Sequence, residues 1–156
     1  MKKIILPLFC VIAIASCSTG ATSYNDKLAK EHQVVLDKMG ELLAMDKDSA
    51  SMQQVKTEAI SLADACLSNI EKLSYSGDDK GFKSSIKEQV QYLKKFAAKD
   101  FDIMLAGKSA SASATDIAKA KVILATFESE AGMQDTKIEN AQKAFAKANN
   151  LEVEEE

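Results

Sequence analysis

The chain holds a single proline, Pro7, and none in any residue that follows. Proline stops or kinks a helix, because it lacks the amide hydrogen and its ring collides with the preceding turn. A long proline-free stretch rich in Ala, Lys, Glu, Leu and Met therefore predicts long helices, broken only where glycine, serine and aspartate cluster.

Ser23-Tyr24-Asn25-Asp26 has the Ser-x-x-Asp form of a helix start. A first helix is expected from there to about Met45, with Tyr24, Leu28, Val35, Met39 and Leu42 on one stripe that His32 completes. A second stripe runs through Met52, Val55, Ala59, Leu62, Cys66, Ile70 and Leu73, and Tyr75 to Gly81 reads as the next break. Phe82, Ile86, Val90, Leu93, Ala97, Phe101 and Met104 predict one continuous third helix closed by Gly107. Lys108 to Ala114 alternates serine and alanine without the branched or aromatic residues of a strand, so it reads as a connection.

Ser113-Ala114-Thr115-Asp116 supplies another cap, and Ile117, Ala120, Leu124, Phe127, Ala131, Ile138, Ala141, Phe145 and Ala148 carry the longest stripe. Short connections make successive helices antiparallel. The expected fold class is all-α: a single up-down-up-down antiparallel four-helix bundle, preceded by a cleaved lipoprotein signal.

That signal is the other informative stretch. Lys2 and Lys3 give a positive start, Ile4 to Ile14 an apolar run, and Ala15-Ser16-Cys17 a small-residue cleavage site ending in an acceptor thiol. The run is too short to span hydrocarbon, which takes about 20 apolar residues. The expected organisation is a signal peptide over 1–16, a lipidated tether over 17–22, the four-helix domain over 23–150 and an acidic tail over 151–156. Acyl chains on Cys17 would hold the protein to a membrane, since several chains anchor far more firmly than one. Ser18, where aspartate would favour inner-membrane retention, points to the outer membrane. The expected address is the cell envelope, on either the periplasmic or the outer face.

Charge narrows the partners. Once Lys2 and Lys3 leave with the signal, 18 lysines face 23 acids, a net charge of about −5. Nucleic acid, which needs a basic face, is not an expected partner. No arginine occurs, which removes the side chain suited to bidentate grip on phosphate or carboxylate. Of the three cysteines, Cys10 belongs to the signal and Cys17 to the anchor, so Cys66 stands without a disulfide partner.

The lipobox, Tyr24-Asn25-Asp26 opening a helix that reads Lys30-Glu31-His32-Gln33, and the closing Ala141-Gln142-Lys143-Ala144-Phe145-Ala146-Lys147 resemble a group of uncharacterised bacterial surface lipoproteins with four helices. The resemblance implies the fold and the membrane address, and brings no activity with it.

Reflecting the chain about each short connection places His32 near residues 63–66, Cys66 near Val90, and Val90 near Glu130. His32, Cys66, Gln89, Glu130 and Gln134 would then share one or two layers, and a His, Cys and carboxylate set is a zinc or copper donor set. The preferred readings are a packed Cys66, a satisfied or boundary His32 and a solvent-facing Glu130, with the methionines as packing, so no metal or other cofactor is expected. Di-iron, haem-attachment, serine-hydrolase, zinc-protease, phosphate-loop and dinucleotide motifs are absent from the sequence. No enzyme activity is expected.

The same arithmetic leaves the end of the fourth helix past its neighbours, presenting Ala141, Phe145, Ala148 and Leu151 as a candidate partner-binding strip. The competing arrangement tilts that helix onto Tyr24 and Tyr75. The sequence thus leads to a non-enzymatic interaction or structural module at the envelope, bound to the membrane by its acyl chains and to an envelope protein or a second copy. A small-ligand or metal-binding bundle is the alternative.

Overall fold

The computed structural model describes residues 19–44 and 48–151. The signal, Cys17 and most of the acidic tail lie outside the described residues, as does Met45. Among the described residues the chain is all-helical, with α1 (Thr19–Ala44), α2 (Ser49–Lys72), α3 (Phe82–Lys99), α4 (Phe101–Gly107) and α5 (Ala114–Ala148). No helix among them is long and apolar enough to cross a membrane.

Two elements differ from expectation at their boundaries. α1 begins at Thr19, ahead of the Ser23 cap, so residues 19–22 of the expected tether are helical. Ala21 and Thr22 are buried there, and packing of that turn outweighs the weak helix propensity of Gly20 and its polar neighbours. The expected third helix is divided at Asp100, whose φ of −99° departs from helical geometry. Its amide still bonds Phe96 O at 2.9 Å and its carbonyl accepts from Met104 N at 3.2 Å, so α3 and α4 form one broken arm.

The capping chemistry is local and specific. Asp48 Oδ1 accepts from Ala50 N at 3.0 Å and Ser51 N at 3.1 Å to start α2. At α5, where the sequence predicts a cap, Ser113 Oγ accepts from Asp116 N at 3.1 Å while Asp116 Oδ2 accepts from Ser113 N at 3.2 Å, a reciprocal box. Gly81, at φ +78°, turns the chain into α3 in the left-handed region that favours glycine. At Gly107 a side chain would lie 2.3 Å from Ala120 Cβ and 2.8 Å from Asp116 O, so only glycine lets α4 close against α5.

Neighbouring helices run antiparallel, as their cross-links show. Lys38 pairs with Glu58 and Glu31 with Asn69 between α1 and α2. Lys87 pairs with Glu71 and Lys94 with Asp64 between α2 and α3, and Lys56 with Asp102 carries the same order onto α4. Lys137 pairs with Glu88, and Phe127 lies 4.2 Å from Phe96 between ring centres, joining α5 to α3. α1 packs on α2 and α3, while α5 packs on α3 and α4. α1 and α5 meet through their side chains. The core is continuous, from Leu28, Met39 and Leu42 on α1 through Met52 and Ile70 to Phe82, Ile86, Leu93, Phe101, Phe127 and Phe145.

Candidate functional site

Where α1, α3 and α5 converge, the core is crossed by polar side chains. His32 on α1 is 1% exposed, and Gln89 on α3 is fully buried. Gln89 Nε2 donates to Asp135 Oδ1 of α5 at 2.5 Å, and its side chain also meets His32. Two turns away, Gln142 Nε2 of α5 donates to Asn25 Oδ1 of α1 at 3.1 Å, both buried. The two layers are spaced by seven residues on each helix, so they lie on the same face.

Burial dominates the electrostatics. It pushes the His32 imidazole down to about 4, partly opposed by Gln89, so the ring is neutral near pH 7. It raises the Asp135 carboxyl, partly opposed by the Gln89 amide. Cys66 is pushed up to about 12 by burial and by the charge of Glu31. A thiol held protonated in this way is a packing group, not a nucleophile at neutral pH.

The candidate donor set is not assembled. Among the described residues no group of three or more His, Cys, Asp or Glu side chains is placed to hold a metal ion. Gln89 does share the His32 layer, but the α5 carboxylate in it is Asp135, whereas Glu130 bears on Tyr92, whose hydroxyl is raised by burial and then by the Glu130 charge. The displacement has a physical cause. Turns continue past Gly107, with Lys108 N bonding Leu105 O, Ser109 N bonding Ala106 O and Ala112 N bonding Ser109 O. The chain therefore reverses later than the midpoint of the connection, and every α5 residue is shifted relative to α3.

The candidate overhang is likewise corrected. Phe145 is fully buried, with ring centres 5.8 Å from Tyr24, 5.4 Å from Tyr75 and 5.9 Å from Phe82. Asn150 takes a left-handed φ of 52°, and Leu151 N returns to Ala146 O at 2.9 Å, folding Leu151 onto the core. The Tyr75 hydroxyl donates to Asn149 Oδ1. Ala141 is half-buried and Ala148 alone of the four is exposed, so α5 follows the tilted arrangement against the tyrosines.

The side of α5 opposite the predicted stripe carries a second pattern. Ala118, Val122, Ala125, Ser129, Gly132 and Thr136 form an exposed line without a charge, with Met133 beside it. Val122 is 66% and Met133 56% exposed. The signal was present as three- and four-residue spacing of uncharged residues on the side away from Phe127.

No family model, curated protein or solved structure matches this chain.

Proposed function

We propose that this chain is a lipid-anchored envelope protein, held at the outer membrane through Cys17, whose helical domain is a non-enzymatic interaction module. In this reading α1, α2, the broken arm α3–α4 and α5 are the four members of an up-down-up-down bundle, of the kind carried by the uncharacterised surface lipoproteins that the chain resembles.

The observation that carries the interaction reading is the uncharged outward line of α5. From Ala118 to Thr136 it extends about 27 Å. Its small side chains let another helix approach closely, and the open space around Gly132 leaves no internal reason for glycine there. Lys121 and Glu128 flank the line without an ion pair among the described residues, so the matching surface is a helix of an envelope partner with an acid opposite Lys121 and a base opposite Glu128.

A photo-crosslinking residue at Val122 in intact cells, with one at Gln91 of α3 as reference, tests this. A discrete adduct at Val122 alone supports the module, and one of twice the chain's mass would assign the surface to a second copy. Absence of any adduct at Val122 overturns the reading. The anchor has its own test: the mass of the mature N-terminus should show acylated Cys17, and Cys17→Ser should abolish it.

A further inference from the structure

Between the first turns of α1 and the end of α2 lies a cavity of about 400 Å³, walled by Ser23, Tyr24, Lys27, Lys72, Leu73 and Ser74. Two lysines and two serines line it, with no carboxylate among the described lining residues. Lys27 and Lys72 take part in no ion pair among the described residues, although lysines elsewhere on the surface pair with carboxylates, as at Lys56 and Asp102 (2.6 Å). On a chain of net charge −3 this is a local excess of positive charge.

Of the groups that would oppose an anion, the carbonyls ending α2 are covered by a cation, while Asp79 is met by a neutral hydroxyl and keeps its charge. The free carbonyls at the end of α2 carry partial negative charge. Lys83 Nζ covers them, donating to Leu73 O at 2.8 Å and Glu71 O at 3.0 Å. Asp79, which approaches the Tyr24 side of the cavity, accepts from the Tyr24 hydroxyl at 3.1 Å.

We infer that this cavity binds a phosphate group carried on a small polar alcohol. Two lysines act as point charges toward a phosphate, and serine hydroxyls can donate to its oxygens. The volume falls in the range of small-molecule sites and exceeds a bare phosphate, which leaves room for a glycerol-sized substituent. Under the anchor reading, Cys17 lies only a few residues from Ser23, so the cavity opens beside the headgroup layer. The ligand chemistry is shared by a phospholipid headgroup and a soluble phosphate ester. Its placement at the membrane rests on the anchor; its binding of phosphate does not.

The test uses the mature protein, isotopically labelled, in a non-ionic detergent at fixed ionic strength. Glycerol 3-phosphate should shift the amide resonances of Ser23, Lys27 and Ser74 saturably, and Lys27→Gln with Lys72→Gln should weaken binding roughly tenfold or more. Both lysines are exposed, so these variants should fold, and Lys119→Gln with Lys121→Gln, on α5, should leave binding unchanged. Micelles doped with phosphatidylglycerol that reproduce the same shifts, where phosphatidylcholine does not, assign the headgroup. Shifts with glycerol 3-phosphate but not with phosphatidylglycerol assign the soluble ester. Non-saturating shifts of equal size in parent and double variant overturn the proposal. A mature N-terminus without acyl mass removes the anchor and leaves the glycerol 3-phosphate result standing.

Discussion

Two seams of this molecule are built from opposite materials. One seam, between α2 and α3, includes the aliphatic or small buried residues Ala59, Ala63 and Ile70 with Ile86, Val90 and Leu93, and its charges stay outside as Lys87 with Glu71 and Lys94 with Asp64. Between α1 and α5 the buried contacts are polar or aromatic: Asn25 with Gln142, His32 and Asp135 through Gln89, and Tyr24 with Phe145. Aliphatic packing tolerates small slides because it is non-directional. A buried amide pair does not, because a slip leaves both partners unsatisfied. The polar seam is thus the one that sets the register of α5, while the aliphatic seam supplies bulk stability.

The largest expected effect breaks the polar seam at its aromatic end. Phe145→Ala removes a fully buried ring in contact with Tyr24, Tyr75 and Phe82, and should cost about 3–5 kcal/mol in denaturant unfolding. Ala148→Ser, one turn on and exposed, should cost less than about 0.5 kcal/mol. Similar losses at both sites would mean that α5 does not end in the core.

Acid should separate the seams next. The folded protein holds His32 neutral with its pKa near 4, while the unfolded chain takes up the proton near 6.5. The unfolded state therefore binds more protons between those values, and stability present above pH 6.5 is lost as pH falls toward 4, by up to about 3 kcal/mol. Asp135 acts in the opposite sense: its raised carboxyl favours the protonated form in the fold, so its contribution falls as pH rises. Unfolding free energies at pH 7 and pH 4.5 should differ in the parent and converge in His32→Gln. An unchanged pH dependence in His32→Gln would show that the ring is not the titrating group.

Much of this was legible in the sequence, and the failures share one cause. Every residue of the third stripe, from Phe82 to Met104, is buried, as is the first stripe with His32 on it, because a three-four pattern on a helix needs no knowledge of neighbours. The His32 and Gln89 positions also come together as the reflection expects. The third reflection failed because backbone hydrogen bonds past Gly107 move the reversal, a matter of a few turn residues that no stripe records. On α5 the stripe succeeded in the middle at Phe127, Ala131 and Ile138, and failed at both ends, where Ile117 and Ala148 are exposed. The end of α5 misled for a related reason: helix length was counted along the axis, while the left-handed Asn150 and the Tyr75 contact bend the terminus inward.

Register control by the amide pair has a sharper signature than a stability loss alone. Gln142→Leu leaves the Asn25 amide buried without its partner and should cost about 1–3 kcal/mol. Adding Asn25→Leu should recover most of that loss, because two apolar groups satisfy each other, giving a coupling energy opposite in sign to the single effect. If the pair fixes register, the double variant should regain stability yet broaden the resonances of α5, as alternative slides become close in energy. Recovery with sharp resonances would leave register to the Gln89 and Asp135 contact.

The smallest effect belongs to the aliphatic seam. Lys94 and Asp64 lie 2.5 Å apart, but both side chains are a third or more exposed, so solvent and salt weaken their attraction. Lys94→Met should change stability by less than about 0.5 kcal/mol and leave α5 resonances sharp. Raising salt should shrink even that difference, since exposed pairs are screened within about 10 Å at 0.1 M. A loss above about 1 kcal/mol, or any effect on α5, would mean that the outer ion pairs share the alignment role and that the division between the two seams is wrong.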